Sequence, residues 1–160
     1  MMTKSDLMKP TNLQAHPEGG RFQEVFRSEK KVSTQNGATR SAMTHIYFSL
    51  GSGEVSTFHT VASDEVWNLY RGTGLNLYLW DGSEKPPLRI TLSAGEDCFC
   101  HVVPAGMWMA AEPMEREVLM GCTVAPGFEF SDFHLMDADS EDAKRLVGVA
   151  PEMARFISDR

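Results

Sequence analysis

No apolar run in the 160 residues approaches the roughly 18 that a membrane helix needs, so a helical membrane span is excluded. The opening residues, MMTKSDLMK, hold no apolar core of signal-peptide type, and the expected location is the cytoplasm. Basic residues are scarce: 15 Lys and Arg stand against 22 Asp and Glu, a net charge of −7. A chain so charged repels phosphate backbones, and no nucleic-acid partner is expected. Cysteine is sparse too, and three is an odd number, which argues against a disulfide framework. There is no internal repeat, low-complexity tract or linker, so residues 1–160 read as a single domain. Hydrophobic residues at 42 % and charged residues at 23 % suit a globular chain that buries a core without staples.

What the sequence does hold is a succession of short β signals from Arg21 to about Leu135. Strands are expected at Arg21–Ser28, Met43–Leu50, Val55–Val61, Glu65–Tyr70, Leu75–Trp80, Leu88–Leu92, Cys98–Val103, Met107–Ala111 and Glu117–Val124. Leu75, Leu77 and Leu79 alternate with Asn76, Tyr78 and Trp80, a period of two that turns one face to a core. Turn residues punctuate the runs, as at Asp81-Gly82. Many short, evenly spaced strands predict an all-β sandwich, jelly roll or barrel. Short helices are expected at each end: Lys4–Lys9, then Glu141–Val147 capped by Asp139 or Ser140, and a second C-terminal helix from Pro151 to Ile157. The helical tail, about 139–158, covers one end or face of a core spanning about 13–135.

One constellation carries chemistry. Gly53 is followed by His59, Glu65 and Gly72, and Pro104-Ala105-Gly106 leads into a later strand. This arrangement resembles the two motifs of the cupin superfamily. The wider match resembles one branch, the cupin 5 type, a domain of unknown function. It runs in order through LQAHPEGG at Leu13–Gly20, Ile46–Phe48, FHTVASDEVWNLYRG at Phe58–Gly72, VVPAGMW at Val102–Trp108, and GCTVAPGFEFSDF at Gly121–Phe133. The resemblance implies a jelly roll of the double-stranded β-helix type, similar in fold to dTDP-sugar epimerases, and a homodimer. It also implies that positions 59 and 65 carry metal ligands, or an acid–base pair in metal-free members. The second histidine of the motif is replaced by Val61 and the late one by Met109, and Asn68 stands where the branch often has histidine.

Strand parity places Thr57, His59 and Val61 on one face, and Glu65, Trp67 and Leu69 on one face of the next strand. A hairpin is expected to bring His59 and Glu65 together in the barrel mouth. Two donors are too few for a tightly held metal, so no cofactor is expected, a weakly bound divalent ion at His59 and Glu65 being the alternative. The pair is then read as catalytic, His59 acting as a base beside Glu65, or else as a buried polar pair with no further role. Trp67 is expected to wall the pocket or to be plain core, with Tyr47, Trp108 and Met109 as further ligand-binding positions. Cys98 and Cys100 share a strand face without His101, so they are read as small buried apolar groups rather than metal ligands. The segment from His16 to Gly20 is either a lid or a fixed chain crossing. The expected function is a pocket for a small polar or sugar-like metabolite, with isomerase or epimerase chemistry through His59 and Glu65. The alternatives are a non-catalytic binding or storage cupin and, third, a metal-dependent dioxygenase. An epimerase further requires a second acid, often a tyrosine, and the chain offers Tyr47, Tyr70 and Tyr78.

Overall fold

The computed structural model describes residues 8–158. The expected helix at Lys4–Lys9 falls largely outside them. Among the described residues there are thirteen strands: β1 (Gln14–Ala15), β2 (Arg21–Arg27), β3 (Lys31–Ser33), β4 (Thr39–Ser41), β5 (Thr44–Leu50), β6 (Ser56–Val61), β7 (Asp64–Arg71), β8 (Leu75–Trp80), β9 (Leu88–Leu92), β10 (Cys100–Val103), β11 (Trp108–Pro113), β12 (Val118–Ala125) and β13 (Phe133–Leu135). They build a six-stranded sheet in the order β1-β2-β5-β12-β7-β10 and a five-stranded sheet in the order β13-β6-β11-β8-β9, with β3 and β4 as a separate hairpin. The pairings between these strands are antiparallel. This is a jelly roll: two facing sheets between which the chain passes repeatedly, as from β6 to β7 and from β7 to β8.

The expected strands are present with ends moved by a residue or two. Four short ones escaped the sequence reading, among them the two-residue β1. β3, β4 and β13 have three residues each and little burial, so they carry no hydrophobic alternation to detect. The inner faces meet in one core. Phe48 and Leu50 come from β5, Trp67 from β7, Leu75 and Leu77 from β8, and Met120 from β12, each fully buried.

The alternation of β8 has a second consequence. Its leucines point inward, yet Tyr78 and Trp80 on the opposite face are also buried, with Phe58 of β6 and Ala110 of β11. The C-terminal segment covers them. Helix α1 (Glu141–Val149) starts at Ser140, whose hydroxyl accepts from the Ala143 amide at 3.1 Å, and Glu141 and Asp142 complement the first turn. A 3-10 helix (Pro151–Phe156) follows with Pro151 in its first turn. Leu146, Met153 and Phe156 from these helices bury the outer face of the five-stranded sheet. Gly106 takes φ +79°, a left-handed turn after Pro104, and its amide donates to the Val61 carbonyl at 2.9 Å.

Candidate functional site

A cavity of about 210 Å3 opens at one end of the sandwich, between the two sheets. Its polar end is formed by His59 from β6, Glu65 from β7, and Glu18 and His16 from the segment that precedes β2. His59 and Glu65 both point inward, as strand parity predicts. The strands are not paired, however. β6 belongs to the five-stranded sheet and β7 to the six-stranded one, so Ala62 and Ser63 carry the chain across the sandwich. The two side chains therefore approach from opposite walls, and no ion pair within 4.0 Å joins them among the described residues.

The partner of His59 is Glu18. His59 Nε2 lies 2.6 Å from Glu18 Oε2, with both side chains almost wholly buried. Its Nδ1 lies 2.7 Å from the carbonyl oxygen of Thr57. A carbonyl only accepts, so Nδ1 carries a proton and donates it. Burial pulls the His59 pKa down, but the Glu18 carboxylate, together with Glu65 and the Thr57 carbonyl, outweighs it and holds the imidazole above its ordinary value. Burial likewise pushes Glu18 up, and His59, together with His16 and Ser56, outweighs it, holding that carboxyl below its ordinary value. The pair is an imidazolium and a carboxylate. Both nitrogens of His59 are then occupied within the protein.

Glu18 is delivered by a fixed crossing, not a lid. Its carbonyl accepts from the Thr57 amide at 2.8 Å and from the Thr57 hydroxyl at 3.1 Å. The turn closes on itself through His16 N to Gly20 O and Gly19 N to His16 O, each 3.0 Å. Gly19 adopts φ +109°, and a Cβ there would lie 2.2 Å from the Val55 carbonyl oxygen, so only glycine permits this approach to β6. The Glu18 amide donates to His16 Nδ1 at 3.2 Å, which leaves the proton of that ring on Nε2. Burial lowers the His16 pKa as well, so this imidazole is neutral. Sequence reasoning singled out the segment but not Glu18 as a partner of His59. The signal was there in a carboxylate set between a histidine and two glycines, while the contact itself joins residues 41 apart.

Glu65 is the group with an open side. It is buried, it forms no ion pair among the described residues, and burial pushes its pKa up to about 7, with His59 opposing and Glu18 reinforcing the rise. The Cys122 thiol hydrogen-bonds it, and burial pushes that thiol well above its ordinary value. Glu65 thus holds or releases a proton near neutrality, within the field of an imidazolium.

The expected ligand-binding residues lie elsewhere. Trp67 is wholly buried in the core against Phe48, ring centroids 5.7 Å apart. Met109 is core as well, opposite Leu79 on β8 and His59 on β6. Trp108 packs with the outer apolar layer beneath the C-terminal helices, on the other side of its sheet. Tyr47 alternates with the inward Ile46 and Phe48, so it stands on the outer face of the six-stranded sheet, its ring 5.9 Å from Tyr70. Cys100 is exposed on the edge strand β10, Cys98 before it is half-buried in a bridge to Ser93, and of the three thiols only Cys122 is fully buried. A cupin metal does not fit these residues. His59 has no free nitrogen, and Val61 and Met109 offer no strong donor where histidines would stand. No group of three or more His, Cys, Asp or Glu among the described residues converges on a metal position.

A two-sheet jelly roll with a titratable cluster at its open end is the arrangement of a cupin. The chain belongs to the Cupin_5 family, described as cupin superfamily (DUF985), whose model matches residues 5–136. Among curated proteins it is similar to the uncharacterized protein YML079W of Saccharomyces cerevisiae, 28 % identical over 169 residues, covering 95 % of this chain and 83 % of that protein. Among solved structures it resembles protein SO0799 from Shewanella oneidensis, 29 % identical with a TM-score of 0.78 and both chains covered in full. A hypothetical protein from Leishmania major is 26 % identical with a TM-score of 0.76, covering 92 % of this chain and 94 % of that one.

Proposed function

We propose that the cavity takes up a small molecule whose polar group meets Glu65, and that Glu65 moves a proton to or from it in an isomerisation. The observation that carries this reading is a buried carboxyl with no ion pair among the described residues, facing the cavity, with a pKa raised to about 7. In the step envisaged, ionised Glu65 accepts a proton from a carbon beside a carbonyl. The electron pair of that C–H bond passes into an enediolate, the proton of the adjacent hydroxyl passes to the former carbonyl oxygen, and the same carboxyl returns its proton to the former carbonyl carbon. His59 and Glu18 are positioning residues here, because the imidazole that sequence analysis casts as the base has both nitrogens engaged. A cavity of about 210 Å3 is small beside the usual range of about 300–1,000 Å3, which favours a compact substrate. The two-sided epimerase reading is weakened. Tyr47 and Tyr70 stand on the outer sheet face, and Tyr78 lies under the C-terminal helices.

A panel of small keto-sugars and aminoketones, incubated with the protein in D2O, tests the proposal by NMR. Deuterium should enter beside the carbonyl, faster as pH rises through about 7, and Glu65→Gln should abolish the exchange. A second reading, binding without catalysis, draws on the full engagement of His59. It prevails if fragments shift the resonances of cavity residues while no deuterium is incorporated.

A further inference from the structure

The walls of the cavity narrow the class of ligand. Five aromatic rings line it: Phe22, Phe128, Phe130, Phe133 and the neutral His16. None of them stacks in parallel. His16 meets Phe22 at 79° and Phe133 at 80°, with centroids 4.8 and 5.5 Å apart, and Phe130 meets Phe128 at 85° and Phe133 at 82°. His16 and Phe130 are tilted by 38° at 6.0 Å, and Phe128 and Phe133 by 62° at 6.1 Å. Rings set mostly edge to face present both edges and faces to the cavity.

The charges around this box are unequal. Four carboxyl groups line the cavity, Glu18, Glu24, Glu65 and Glu129, against a single arginine, Arg27. Arg27 is already engaged: its guanidinium holds Glu24 at 2.7 Å and Glu129 at 3.0 Å, and donates to the Phe128 carbonyl at 2.9 Å. His59 is engaged by Glu18. Glu65 is left as the carboxyl without a cation among the described residues. An anionic ligand would find no free cation here and would face Glu65. A cationic one would meet aromatic faces and that carboxylate, the two features that hold ammonium groups.

We propose that the ligand of this cavity is a small organic cation, its ammonium group boxed by the aromatic rings and paired with Glu65. The proposal rests on the reading of the cavity as a ligand site. Three probes of the same shape separate charge from fit: choline, the neutral 3,3-dimethylbutan-1-ol and the anionic 3,3-dimethylbutanoate. Binding is followed by calorimetry and by NMR shifts of the cavity residues. Choline should bind about tenfold tighter than the alcohol, and the carboxylate should not bind. Glu65→Gln should erase the preference for choline over the alcohol. Phe130 is 52 % exposed, so Phe130→Leu should keep the fold and weaken choline more than the alcohol. Equal or tighter binding of the alcohol or the carboxylate overturns the cation assignment and leaves the cavity a ligand site. Silence from all three probes also overturns it. In that case shifts from the ketone panel keep the ligand-site reading, and their absence removes it as well.

Discussion

Glu65 and Glu18 respond to pH in opposite senses, because their shifts differ in sign, and His59 follows Glu65. The Glu65 carboxyl is raised from 4.5 to about 7, so the folded protein binds its proton more tightly than the unfolded chain does. Its contribution is fully present below pH 4.5 and is lost as pH rises to about 7, a change of the order of 3 kcal/mol. Glu65→Gln should therefore flatten the stability profile between pH 4.5 and 7 and should be more stable than the parent at pH 8. Urea melts across that range check it. Glu18, held below its ordinary value, works the other way: its stabilisation is present above pH 4.5 and is lost as pH falls through the depressed value. His59, held above its ordinary value, stabilises fully below pH 6.5 and loses this as pH rises through the elevated one. Removing one member of a buried pair strands the other, so Glu18→Ala should cost about 3–5 kcal/mol at pH 6 by denaturant unfolding.

At the scale of elements, the site depends on a turn and two strands from different sheets. The segment from His16 to Gly20 has little apolar surface, and what fixes it is its hydrogen bonds to Thr57 and the close approach of Gly19 to Val55. Gly19→Ala should destabilise by more than about 1 kcal/mol, since the left-handed φ and the overlap with a backbone oxygen act together. It should also raise hydrogen exchange at the Thr57 amide, which donates to Glu18. The inward parity of His59 and Glu65, the leucine face of β8 and the Ser140 cap were all legible in the sequence, because each depends on local periodicity or a local hydrogen bond. The partition of strands between sheets was not. A link of Ala62 and Ser63 reads like a hairpin, and only the pairing of β7 with β10 and β12 shows otherwise. For the same reason Trp67 and Glu65 share a face yet differ in role: one lies deep between the sheets, the other at the open end.

Across the whole molecule, two apolar layers flank the five-stranded sheet, and the C-terminal helices supply half of the outer one. Phe156 is fully buried there against Phe58 and Tyr78, with ring centroids at 6.1 and 5.0 Å. Phe156→Ala should cost about 3–5 kcal/mol and lower Tm by roughly 10 °C, while the cavity at the far side of the sheet keeps its geometry. The crossing at Ala62 and Ser63 sets a further condition. Because His59 and Glu65 hang from opposite walls, the gap between them is a caliper reading of the sandwich's thickness. Trimming a spacer such as Met120 lets the walls creep together, and the proton affinity of Glu65 should drift before the melting curve registers much at all.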